Sequence, residues 1–270
     1  MTSPLLLCAR QELLLSVRSR WTQIFAVVFA ALSVAVAGSG YILTGGRGVQ
    51  DFARTAASLV QLVLLLVPLT SLVIGVLSLA PERGAAELLF SQPVRRRSIL
   101  LGKLLGLFEA LVAAQAIGFG AAGAVIFSQS GGDGLGAFLL VALGSAALTA
   151  IFLGIAAVVT SGHPGRRRPR ALALALVGWF VAGVLFGLAA LGVASLLPSG
   201  TASRVLIVAA LVNPVDAIRT GALLGAEGTT AFGAASLAFF RFTRGSAGAV
   251  ALLSASVLLW IVLPPLLAGP

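Results

Sequence analysis

A chain of 270 residues that is 59% hydrophobic and 10% charged, with a mean hydropathy of +1.09, is not an ordinary soluble domain. Its charges sit between long apolar runs that are continuous rather than alternating, which excludes a membrane β-barrel and predicts an all-α polytopic membrane protein. The net charge of +10 would suit nucleic acid, but the arginines lie at the ends of the apolar runs, where they set topology and meet anionic lipid, so no nucleic-acid partner is expected.

Residues 1–20 read as an amphipathic helix at the membrane interface. Leu5, Leu6, Leu13, Leu14 and Val17 alternate with Arg10, Glu12, Arg18 and Arg20, and the arginines are expected to face headgroups and water. The sole cysteine, Cys8, has no partner for an internal disulfide and reads as a small apolar residue near an inner face. No cleavable signal peptide is expected, because the first apolar run is long enough to span and lacks a clear small-x-small cleavage site followed by a polar domain.

Six apolar runs follow, at about 22–43, 55–80, 100–128, 135–161, 171–197 and 246–268, each near or above the roughly 20 residues a crossing needs. Six crossings leave both termini on one side. With the N-terminus inside, the inner segments carry Arg10, Arg18 and Arg20, then Arg83, Arg95, Arg96, Arg97 and Lys103, then Arg166, Arg167, Arg168 and Arg170. The outer segments carry Arg47, Arg54, Arg204, Arg219, Arg241 and Arg244. The bias predicts both termini in the cytoplasm. The first outer loop, 44–54, is glycine-rich, and Gln129–Gly134 is a tight turn. The outer segment 198–245 is half apolar and predicts short interfacial or re-entrant helices. Gly102/Gly106, Gly183/Gly187 and Gly221/Gly225 show the small-xxx-small spacing of close helix contacts.

Between the second and third runs lies the most charged stretch, 81–97. Pro81 suits a first helical position and Glu82 the positive end of the helix dipole. Arg83 and Glu87 are four apart on one face, Pro93 ends the helix, and Arg95, Arg96 and Arg97 form a basic collar. By composition alone this is a positively charged inner loop with a short helix in it. Its order of acid, Gln-Pro-Val-Arg and Leu-Leu-Gly-Lys resembles the cytosolic coupling segment of type-2 ABC transporter permeases. The resemblance implies that Glu82, Arg83, Gly84, Glu87, Leu88, Gln92, Pro93 and Arg97 dock into a groove on an ABC ATPase subunit. It also implies that residues 1–21 are the elbow helix of that class, and that 1–270 is one permease domain working as two copies.

The sequence lacks the parts of an enzyme. There is no phosphate-binding loop, so ATP and Mg are expected on the partner ATPase and no cofactor on this chain. His163, Met1 and Cys8 are the only residues of their kinds, too few for a zinc or copper site. Glu109 is a carboxylate inside a span, roughly two turns from Lys103, expected either to pair with an inner arginine or to face a transport or dimer cavity. The Asn213-Pro214-Val215-Asp216-Ala217-Ile218-Arg219 stretch starts a turn, with Asp216 expected to cap the next helix and to lie within reach of Arg219.

That stretch resembles an Asn-Pro-x-Asp-x-x-Arg element before the last span of the NosY family, and Arg18-Ser19-Arg20-Trp21 is similar to the same family. The resemblance implies a bacterial or archaeal cytoplasmic (inner) membrane, delivery of sulfur or copper for nitrous oxide reductase maturation, and a periplasmic accessory protein contacting Asn213, Pro214, Asp216 and Arg219. Export of a lipid, drug or small hydrophobic molecule by a permease of the same class remains an alternative. So does an ion-driven secondary transporter, although paired broken helices around a charged site are not evident.

Overall fold

The computed structural model describes residues 4–42, 49–80, 95–130, 134–161, 168–227, 242–243 and 245–268. These form helices α1 (Pro4–Arg18), α2 (Arg20–Ile42), α3 (Val49–Leu79), α4 (Arg96–Ser130), α5 (Leu135–Ser161), α6 (Arg168–Phe180), α7 (Phe186–Ser195), α8 (Ser199–Val212), α9 (Pro214–Glu227) and α10 (Ser246–Ala268). A π-helical stretch, Val181–Leu185, joins α6 to α7 without breaking the span. Among the described residues there is no strand.

Among the described residues six helices are long and apolar enough to cross a membrane: Arg20–Ser39, Thr55–Leu79, Arg96–Ser128, Leu135–Ser161, Arg168–Ser195 and Ser246–Ala268. They fall on the six predicted runs, because hydropathy at this length is decided by lipid rather than by tertiary context. Two expectations shift. Helix α3 begins at Val49, inside the expected loop 44–54, and Arg96 and Arg97 already belong to α4. The segment expected at 198–245 holds a helix pair bent by 106° between Gly200–Val212 and Pro214–Gly225. Proline supplies the break: it has no N–H to continue α8, and it forces the preceding Asn213 to φ −93°, ψ 118°, out of the helical region.

Helices α3 and α5 form the centre. Val63 and Val67 of α3 and Leu148, Ile151 and Phe152 of α5 are fully buried. Gly75 lets the two backbones close, since a Cβ there would lie 2.8 Å from that of Ala156. Gly154 of α5 makes room for Pro264 and Pro265 of α10 in the same way. On the other side α2 lies against α4, with Phe29 pressed onto Gly118 and running on through a ring-to-ring contact with Phe119. Gln115 of α4 donates to Thr149 of α5 at 2.7 Å and accepts from Ser145 at 2.6 Å, a fully satisfied polar tie between two spans.

The three glycine pairs have different fates. Gly102/Gly106 is a helix contact, described below. Gly225 touches Leu140 and Gly221 approaches Leu253, whereas no atom lies within 4 Å of where a Cβ of Gly187 would be, so Gly183/Gly187 marks an open face of the fifth span.

Candidate functional site

Of the residues expected to meet an ATPase, Glu82, Arg83, Gly84, Glu87, Leu88, Gln92 and Pro93 lie outside the described residues, as does His163. Arg97 is exposed in the first turn of α4, beside a groove that it shares with Leu100, Leu101, Ile261, Val262 and Leu266. The two ends of the stretch 81–94 are described, and their surroundings are specific.

Helix α1 sits directly on the start of α4. A Cβ on Gly102 would come within 2.7 Å of the Cys8 Cβ and of the Leu5 carbonyl oxygen. One on Gly106 would lie 2.8 Å from the Leu13 nitrogen and 2.9 Å from the Glu12 Cβ. The two glycines are one turn apart on α4, so they open a shallow track into which α1 settles backbone to backbone. The face of α1 in that track is Cys8, Ala9, Glu12 and Ser16, while Leu6, Leu7, Leu14 and Leu15 point away from the protein.

Glu12 belongs to this inward face, whereas Arg10 and Arg18 are exposed as expected. Glu12 is 6% exposed, the buried acid among the described residues. Its carboxylate accepts from the Ser78 hydroxyl of α3 and lies 3.6 Å from the Lys103 ammonium of α4. Lys103 also donates to the Ser78 carbonyl at 3.3 Å. Arg168, at the start of α6, donates to the carbonyl of Ala80 at 3.5 Å. Ser78 and Ala80 precede the stretch 81–94, and Lys103 follows it. Helix α1 therefore ties together the helix that enters the stretch and the helix that leaves it. Sequence reasoning missed Glu12 and Ser78. The available signal was the coincidence of a glycine pair with a lysine on α4, which calls for a small-faced, acid-bearing partner.

Lys103 is thus taken by Glu12 and not by Glu109. Glu109 is exposed on α4, on a stripe with Ala113, Ala116 and Gly120, and makes no ion pair among the described residues.

The second site is the break between α8 and α9. Asn213 is 4% exposed, and Pro214 is buried. The Asn213 side-chain oxygen accepts from the Val215 N–H at 3.0 Å, so Asn213 caps α9, not Asp216 as expected. Pro214 takes the first helical position, where its missing N–H costs nothing. Asp216 sits in the first turn and accepts from the Asn213 amide at 3.0 Å. It forms no ion pair with Arg219, which is exposed.

The same amide donates to the Ala182 carbonyl at 2.7 Å. Ala182 lies in the π-helical stretch, where the Phe186 N–H bonds back to Val181, so Asn213 replaces the donor that an α-helix would have provided. Helix α10 completes the arrangement: Ser256 donates to the Leu211 carbonyl at 2.5 Å and Trp260 to the Val212 carbonyl at 3.0 Å. Two of the carbonyls freed at the end of α8, those of Leu211 and Val212, are therefore paired, as an apolar setting favours.

Among the described residues no cluster of His, Cys, Asp and Glu is placed to hold a metal ion. Cys8 is half-buried against Gly102.

A family model described as ABC-2 family transporter protein matches residues 6–269. Two relatives named "Probable ABC transporter permease protein NosY" are each 34% identical to the chain over 236 residues, covering 85% of it and 85% of the relative. One is from Pseudomonas aeruginosa (strain PAO1) and the other from Stutzerimonas stutzeri.

Proposed function

The chain belongs to the ABC-2 family of transporter proteins, a multi-pass membrane permease, and on that premise we propose that it converts ATP hydrolysis by a separate ABC ATPase subunit into movement on the opposite side of a bacterial or archaeal inner membrane. The observation that carries this reading is the match across residues 6–269, which takes in every span and the stretch 81–94. Both termini face the cytoplasm, α1 is the elbow helix, 81–97 docks on the ATPase, and the working unit holds two copies of the chain. This chain contributes no catalytic group.

The 34% identity to two relatives named NosY supports a NosY-like role. In that role the complex serves delivery of sulfur or copper for nitrous oxide reductase maturation, with a periplasmic accessory protein on the outer face. Asn213 and Pro214 are buried, so contact with that protein falls to Asp216 and Arg219, which the Asn213 cap holds at the start of α9. The chain's part is mechanical.

The test is co-expression with the ATPase encoded beside it. Ala86→Pro breaks the short helix expected in the docking stretch and is expected to abolish ATPase recovery while the permease still accumulates in the membrane. Full assembly and activity with Ala86→Pro would overturn the docking assignment.

A second reading, export of a lipid or small hydrophobic molecule, is favoured by an apolar groove of about 520 Å³ between α4 and α5, lined by Ala116, Gly120, Ala124, Phe127 and Leu139. Extraction of a lipid bound there, and its loss on Gly120→Phe, would support it.

A further inference from the structure

Glu12, Ser78 and Lys103 join three helices at one point, and that point is the root of the stretch 81–94. We propose that this junction is a coupling latch: Glu12 and Lys103 are positioning residues that make α1, the end of α3 and the start of α4 move as one body when the stretch between them is pushed. The proposal rests on the reading of 81–97 as the docking segment.

Three observations carry it. First, the charges are placed where a merely stabilising contact does not need them. The α1–α4 contact is already formed by glycines against backbone, and small apolar side chains would fill the track. A carboxylate and an ammonium brought under partial cover cost desolvation, and well-packed apolar residues often do as well for stability, so the pair's distinct contribution is direction and registry.

Second, the bonds are made to both roots. Ser78 is held through its hydroxyl by Glu12 and through its carbonyl by Lys103, so displacement of α3 relative to α4 strains two bonds at once. Third, the Glu12 Cβ sits directly over Gly106, 2.9 Å from where a Cβ would be, so α1 is seated on α4 at the very residue that carries the carboxylate. A push on 81–94 alone would otherwise be absorbed by α3 sliding along α4. With the latch closed, α1 is carried along.

The experiment uses the full chain assembled with its ATPase, in a Cys8→Ala background, with spin labels at Leu15 of α1 and Leu101 of α4. Both positions are exposed and outside the junction. The distance between the labels is measured without nucleotide and with ATP trapped by vanadate. In the wild type it is expected to be the same in both states. Glu12→Gln keeps the shape and a hydrogen bond to Ser78 but removes the charge, and Lys103→Met removes the other. Each is expected to recover the ATPase at wild-type yield and to keep the nucleotide-free distance, and then to show a shifted and broadened distance once ATP is trapped.

The exchanged pair, Glu12→Lys with Lys103→Glu, is expected to restore the single distance. A distance in Glu12→Gln that does not respond to ATP overturns the latch, as does one that is broadened equally in both states, which would make the pair a plain stabilising contact. Failure of the wild type to recover the ATPase strikes the docking reading instead. Where the single variants do not accumulate, the exchanged pair decides: rescue of accumulation and distance supports the latch, and continued instability overturns it.

Discussion

Gly106→Ala is the sharpest probe of how α1 is seated. The added methyl would meet the Ala9 carbonyl, the Leu13 nitrogen at 2.8 Å and the Glu12 Cβ at 2.9 Å. Two of these are backbone atoms of α1, which cannot rotate aside, so the helix itself must lift. Overpacking of this kind costs about 1–3 kcal/mol. Alanine returns about 1 kcal/mol of helix propensity. Lifting α1 also lengthens a Glu12–Lys103 contact already at 3.6 Å, and because Lys103 is partly exposed that loss is about 1 kcal/mol or less.

The net expectation is a destabilisation of up to about 3 kcal/mol, and of at least about 1 kcal/mol relative to an unobstructed glycine-to-alanine change in the same helix. Gly120→Ala, on the same helix with no atom within 4 Å of the new methyl, is the control and should be neutral or slightly stabilising. The assay is thermal unfolding of the purified permease in detergent, both variants side by side. A Gly106→Ala melting temperature equal to that of Gly120→Ala would refute the backbone-to-backbone seating of α1.

Asn213→Ala removes a helix cap worth about 1 kcal/mol and strands the Ala182 carbonyl at about 1–3 kcal/mol more, so its melting temperature should fall. Asn213→Asp keeps the acceptor for Val215 but loses the donor and sets an acid beside Asp216. It should be no better than alanine, and wild-type stability would refute the two-sided role of Asn213. Asp216→Ala or Arg219→Ala should reduce co-purification of a periplasmic partner while ATPase recovery stays intact. If the two charges are desolvated in that contact, the loss is on the order of 2–5 kcal/mol, and equal recovery of both partners would return these residues to helix α9 alone. Cysteines placed at Gly132 and Gly165 in the Cys8→Ala background should label from opposite sides, Gly132 from outside, and labelling from one side would end the six-span topology.

The spans were legible because hydropathy over about 20 residues depends on lipid, not on neighbours. The seating of α1 was not. The pattern places the arginines of α1 toward water and gives Glu12 no partner, whereas the glycine track on α4 sets aside a face for Glu12 and small side chains and the leucines turn outward. Periodicity tells which residues share a face but not which surface receives that face. Gly102/Gly106 was visible as a motif, and only the fold showed what lies on it.

The Asn213 stretch was legible as a turn, because proline chemistry is local. The exchange of cap from Asp216 to Asn213 was also local, decided by one amide satisfying two partners. The bond to Ala182, 31 residues away, was not legible, since nothing in the composition of Val181–Leu185 announces a π-helical stretch.

The way the α8–α9 break is satisfied also bears on the order in which the chain is made. Its carbonyls at Leu211 and Val212 are paired by Ser256 and Trp260, and both belong to the final helix. While the chain leaves the ribosome, the two carbonyls are synthesised 45 and 48 residues before the groups that quiet them. Until α10 enters the membrane, those two carbonyls need water or the insertion machinery as stand-ins. The nascent protein is therefore finished by its last helix, and the bend is a checkpoint of biogenesis as well as a feature of the mature fold.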